Sequence, residues 1–230
     1  MPVELSYSDV ESTLARLNRI AEDKRIAFRA RLKHFQRLGF PKGANTGTGK
    51  RVAYSVQMLF QMALATELTQ AGLSPKRIVE ILDKNWIACE TALLFALTLK
   101  DRWSPPLADN NLVLLLSPES LRDLSEDGEG EHDYYEAIEV LPLSEVENYM
   151  LRGTDQNSPI VGEFYRHLLI QLRPFGQRVM WHLSCVREEI EFSALTDDLE
   201  AGAAERNRRS NALAEELSKG LDESGDGNDT

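Results

Sequence analysis

Residues 25–54 read RIAFRARLKHFQRLGFPKGANTGTGKRVAY, and the reading of this stretch decides the architecture of the first third of the chain. Its first half has helical spacing. Phe28, Leu32, Phe35 and Leu38 recur at three- and four-residue intervals, which predicts a helix over 25–38 with these four side chains on a buried face. Arg25, Arg29, Lys33 and Arg37 step by four, drift only about 40° each time, and form a basic stripe beside that face. Gly39 is placed to stop the helix and Pro41 follows it. The Gly-, Asn- and Thr-rich run from Pro41 to Tyr54 reads as a turn or short β-hairpin, with Lys50 and Arg51 near its exit.

Outward from this stretch, the charge is unevenly placed. Lys24, Arg25, Arg29, Arg31, Lys33, Arg37, Lys42, Lys50 and Arg51 give the 24–51 window nine cations and no acid. Residues 1–80 carry 13 basic and 7 acidic groups, a net of +6, whereas residues 81–230 carry 13 and 30, a net of −17. The formal charge of −11 for the 230 residues therefore conceals a segment built to face a polyanion. Cys89 and Cys185 lie in separate apolar contexts and form neither a disulfide framework nor a zinc motif. Neither a signal peptide nor a membrane span is expected, since the apolar window at 86–99 is interrupted by Glu90. These features predict a reduced, cytoplasmic, nucleoid-associated protein with no cofactor, metal or catalytic constellation.

Before the basic helix, Val10, Leu14, Leu17 and Ile20 space a short amphipathic helix over 9–20. After the Gly-rich run, residues 55–71 are apolar and free of breakers, so a mostly buried helix ending at Gly72 is expected. Ser74 and Pro75 open another, as N-cap and first helical residue. It either runs on through Trp86 towards Leu99 or is replaced by a new helix near Asn85.

The order of these pieces resembles the MerR-type winged helix-turn-helix family. RLKHFQRLGF (31–40) is similar to the family's recognition helix, with His34 and Phe35 standing where two tyrosines are usual. GKRVAYS (49–55) is similar to the end of its wing, and LFQMALATELTQAGLSPKRIVEIL (59–82) to its following helix pair. The resemblance covers residues 9–82 and implies sequence-specific binding of double-stranded DNA by a homodimer acting in transcription. It implies a DNA-contacting set of Lys24, Arg25, Arg29, Arg31, Lys33, His34, Arg37, Lys42, Lys50, Arg51 and Tyr54. The family's metal-sensing cysteines have no counterpart beyond the isolated Cys89 and Cys185. The physical reading agrees, because a recognition helix needs one apolar face for its own domain and one cationic face for the major groove. A phosphate-binding loop over Ala44–Lys50 is disfavoured, since Arg51 occupies the magnesium-binding Ser/Thr position and Ala44 that of the first glycine.

Pro105-Pro106 suggests a boundary. Beyond it NLVLLLSPESL, YEAIEVLPLSEV and HLLIQLRPFGQ each join an apolar strand to a proline and a helical start, with caps at Ser117-Pro118 and Ser144–Glu147. The fold expected is α+β: a mainly helical winged helix-turn-helix domain at 1–83, a helical linker or dimerisation helix at 84–104, a small α/β oligomerisation or sensing domain at 105–195, and an acidic, largely disordered tail at 196–230, with a weak solvated helix near 200–219. The C-terminal domain or tail offers a surface for a protein partner. His182 and Cys185 share a helix face that reads as packing rather than metal binding. Two other functions stay open at this point: a DNA-architecture or excisionase-like accessory factor, and a protein–protein adaptor that presents its basic face to an acidic partner.

Overall fold

The computed structural model describes residues 3–44, 52–98, 111–116, 138–152, 167–206 and 208. Helix α1 (Tyr7–Leu17) is opened by a capping box: the Ser6 hydroxyl accepts from the Asp9 amide at 3.2 Å, and the Asp9 carboxylate accepts from the Ser6 amide at 2.8 Å. A 3-10 turn (Glu22–Lys24) leads into α2 (Arg25–Arg37), the basic helix. Gly39, at φ +80°, ends it, and the Phe40 amide reaches back to the Phe35 carbonyl at 3.0 Å. This turn delivers Phe40 into the core against Phe35, with ring centroids 6.2 Å apart.

Helix α3 (Val56–Gln70) is capped by the Ser55 hydroxyl and is buried almost all round. Gly72, at φ +91°, reverses the chain, and the Ser74 hydroxyl accepts from the Arg77 amide at 3.3 Å at the start of α4 (Pro75–Thr98). Of the two courses open from sequence, α4 takes the uninterrupted one through Trp86.

Strands β1 (Leu112–Leu116), β2 (Glu139–Pro142) and β3 (Leu168–Gln171) are the three apolar runs singled out above. They form one antiparallel sheet in the order β2-β1-β3, with Leu112 opposite Pro142 and Leu116 opposite Leu168. The central strand is buried along its whole length, which explains its unbroken apolar run. Pro142 sits at the end of an outer strand, where a missing amide costs no ladder bond. The strand–helix alternation suggested an α/β unit, but antiparallel pairing makes the arrangement α+β. A 3-10 turn (Leu143–Glu145) and α5 (Val146–Arg152) follow β2, so Ser144 lies inside the turn rather than capping the helix. The Ser117-Pro118 cap and the Pro105-Pro106 boundary fall outside the described residues.

Helix α6 (Leu172–Ser184) follows β3 directly and packs on α1, α3 and α4 as well as on the sheet. Gly176 permits its approach to α4, since a Cβ there would lie 2.9 Å from Leu93 and 3.0 Å from Leu97. One hydrophobic core consequently runs from Leu5 and Leu14 through α3 and α4 to Leu114, Val179 and Leu183.

Residues 192–206 form a further helix, α7. Leu195 and Leu199 enter the core, the Val3 amide donates to Asp198 at 3.1 Å, and Arg206 joins Gln57 at 2.6 Å and the buried Glu90. Ordered packing therefore extends past residue 195, where the acidic tail was expected to begin. The reason is that α7 carries apolar side chains four residues apart, which suffices to dock a helix on an existing apolar surface. Among the described residues, no helix is long and apolar enough to cross a membrane.

Candidate nucleic-acid interface

Helix α2 lies on the outside of the molecule. Phe28, Leu32 and Phe35 are buried as their spacing predicted, and burying each contributes about 1.5–3 kcal/mol to holding the helix in place. Leu38, expected beside them, is 38% exposed, because it is the C-cap residue and the chain turns away there.

The opposite face projects outward. At 100° per residue, Ile26, Ala30, Lys33 and Arg37 fall within about 60° of one line diametrically across from the Phe28–Leu32–Phe35 face. Arg29 flanks this ridge on one side, and Ala27, Arg31 and His34 flank it on the other; all eight residues are exposed. Arg31, Lys33, His34 and Arg37 make no ion pair among the described residues. Three formal cations thus stand free towards solvent.

Not every expected contact residue joins them. Arg25 is turned inward: its Nε donates to Glu11 Oε1 and its Nη2 to Glu11 Oε2, both at 2.7 Å. Glu11 is 2% exposed, and hydrogen bonding to it holds the Arg25 guanidinium still higher than its ordinary range. Arg29 approaches the same carboxylate, with Nε 3.4 Å from Oε1, while remaining half exposed. Lys24 pairs with Asp23 at 3.1 Å and Lys42 with Asp83 at 3.4 Å, both on the surface. Surface pairs of this kind are worth about 0–1 kcal/mol, so these cations stay exchangeable for a phosphate.

Tyr54, expected among the surface contacts, is 2% exposed. Its backbone forms an isolated antiparallel bridge with Leu5, both hydrogen bonds being 2.8 Å, and its hydroxyl receives a hydrogen bond from the Gln36 side chain. Burial raises its pKa. It braces the back of α2 instead of facing outward. Lys50 and Arg51 lie outside the described residues. Between the start of α1 and α2 is an open cleft of about 480 Å³, lined by Ser6, Tyr7, Ser8, Lys33, Gln36 and Tyr54.

Glu11 is the residue that sequence reasoning missed. In the string DVESTLARL it reads as one more polar position, yet it is the anchor that fixes the start of α2 against α1. The available signal was its placement directly after Val10 on the apolar side of a short helix, a poor position for an unpaired charge. Further support comes from α6, where Arg178 donates to the Leu17 carbonyl at 3.3 Å, at the C-terminal end of α1. Arg187, just beyond α6, donates to Asp9 at 3.0 Å. Helix α1, on which α2 rests, is therefore clamped from behind by the C-terminal half of the chain.

Among the described residues, no group of three or more His, Cys, Asp or Glu side chains is arranged to hold a metal ion. Cys89 is buried, which pushes its thiol up to about 12 and leaves it protonated at neutral pH. His182 lies on α6, with its Nδ1 buried and without a hydrogen-bond partner among the described residues, and Cys185 is the C-cap residue of the same helix. No family model, no curated protein and no solved structure matches this chain.

Proposed function

We propose that the protein is a sequence-specific, double-stranded-DNA-binding transcriptional regulator that acts as a homodimer. The observation that carries the proposal is α2: a surface helix anchored by Phe28, Leu32, Phe35 and the Glu11–Arg25 pair, with Arg31, Lys33 and Arg37 outward and without an ion pair among the described residues. A helix held in this way has the properties needed to lie in a major groove, with its own domain behind it and phosphates on either side. The MerR-like order of segments over residues 9–82 points the same way. Arg31 and Arg37 have the planar fork that reads guanine edges or clamps phosphates, and Lys33 acts as a point charge on the backbone. Two copies supply two half-sites, which a single short helix needs for adequate specificity. The outer face of α4, where Ile87 is 63% exposed with Ala88 and Thr91 beside it, is the surface we assign to the second copy.

The test is a titration of the full chain against duplex DNA over a range of salt, followed by genome-wide mapping and footprinting of its sites. Discrete, paired sites close to promoters are expected, with the logarithm of affinity falling linearly with log salt by about 0.9 for each phosphate neutralised. Charge reversal at Arg31, Lys33 and Arg37 should abolish binding while leaving thermal unfolding unchanged, since all three are exposed. Absence of any salt-sensitive duplex binding would overturn the proposal. Long cooperative footprints would replace it with an architectural role.

A further inference from the structure

The outward ridge of α2 is chemically divided. Its C-terminal half carries Lys33 and Arg37 with His34 beside them, whereas its N-terminal half presents Ile26 and Ala30 with Ala27 beside them. Ile26 is 79% exposed, the most exposed of the large hydrophobic side chains described. A single exposed isoleucine calls for no explanation. Here, however, Ala30 follows it along the ridge, Ala27, Arg29 and Arg31 flank it, and the 24–51 segment holds no acid. Of the carboxylates close by, Glu22 and Asp23 on the preceding turn lie by Arg25 and Lys24 respectively, and the buried Glu11 lies behind Arg29, which stays half exposed.

An apolar patch with cations on both sides complements one surface well: the floor of a major groove between two phosphate backbones. The apolar group exposed there is the C5-methyl of thymine. Helix-turn-helix proteins place the N-terminal residues of the recognition helix against the base edges. Alanine at positions 27 and 30 lets the helix backbone come close, leaving Ile26 as the bulky apolar projection between the flanking arginines. At 1.5 Å per residue, Ile26 and Ala30 lie about 6 Å apart along the axis, so the patch covers roughly two base-pair steps.

We infer that Ile26, with Ala27 and Ala30, is a specificity element that reads thymine methyl groups in the major groove. This inference rests on the DNA-binding reading above. Base choice in each half-site is then divided: methyl contact at the start of α2, and hydrogen bonding or charge from Arg31, Lys33 and Arg37.

The experiment uses the full chain and the duplex most enriched from a randomised library. Each thymine is replaced in turn by deoxyuridine, which deletes only the methyl group. Loss of about fourfold in affinity is expected at one or two adjacent thymines per half-site, the value of one buried methyl-sized group. Ile26→Ala should abolish that discrimination, and Ile26→Val should retain it. Salt-sensitive binding that is indifferent to every uracil substitution, or equally sensitive in Ile26→Ala, overturns the inference while the DNA reading stands. Absence of duplex binding removes both. A change in sedimentation of Ile26→Ala without DNA would assign the patch to a contact between copies and would also overturn it.

Discussion

The Glu11–Arg25 pair gives the sharpest test of how the basic helix is held. Glu11 is nearly inaccessible, with its side chain 3% exposed, whereas Arg25 keeps 17% of its side chain in contact with solvent. The two possible deletions are therefore unequal. Arg25→Ala strands a carboxylate whose only remaining partner among the described residues is Arg29 at 3.4 Å, and an uncompensated buried charge costs about 3–5 kcal/mol. Because Arg29 takes up part of the charge, the lower end of that range, about 3 kcal/mol, is expected. Glu11→Ala leaves a guanidinium that can swing into water, so its cost should be smaller, about 1–2 kcal/mol for lost hydrogen bonds and packing. For a chain of this length, 3 kcal/mol lowers Tm by roughly 6–12 °C. Urea denaturation of both single variants and of Glu11→Leu with Arg25→Met measures the coupling, and the apolar double variant should recover most of the loss. The same variants separate structure from DNA contact: Arg25→Met should leave the salt slope of DNA binding unchanged, whereas Lys33→Met should lower it by about 1. A larger loss for Glu11→Ala than for Arg25→Ala, or a reduced slope for Arg25→Met, would refute the assignment of Arg25 to the support of the helix.

Three other outcomes follow from the packing behind the interface. Arg206→Ala removes the partner that α7 supplies to the buried Glu90, and should destabilise the chain by about 2–4 kcal/mol; adding Glu90→Gln should restore much of it, as read by urea melts. Arg19 adopts φ +52° where the chain leaves α1, a conformation costing a non-glycine residue about 1 kcal/mol, so Arg19→Gly should raise stability by up to that amount in calorimetry. Burial, with the nearby Arg178 and Arg16 charges, lowers the pKa of His182. Its unfolded state therefore takes up a proton below about pH 6.5 that the folded state resists, and stability falls as pH drops through that point. His182→Asn should flatten the decline in Tm between pH 7.5 and 5.5, and an unaltered decline would show that other groups cause it.

Local patterns in the chain determined a good deal. The Phe28–Leu32–Phe35 spacing, the Gly39 stop, the Ser74-Pro75 start and the three apolar strands are all short-range signals, because period and capping depend on residues within one or two turns. The outward placement of Arg31, Lys33 and Arg37, which make no ion pair among the described residues, was equally legible, since an acid-free helix face has no local means of neutralising its charge. What the chain alone did not disclose depends on partners far away in sequence. Arg25 belongs to the same four-residue stripe as Lys33 and Arg37, and only the packing of α1 against α2 sets Glu11 in front of it. Tyr54 looks like a surface residue of a Gly-rich loop until Leu5 pairs with its backbone, 49 positions earlier in the chain. The acidic C-terminal third concealed Leu195, Leu199 and Arg206 within α7, whose docking requires a surface assembled from α3, α4 and the N-terminus. Helical period tells which side chains share a face; it is tertiary contact that decides whether an arginine on that face meets a buried carboxylate or stays open to solvent.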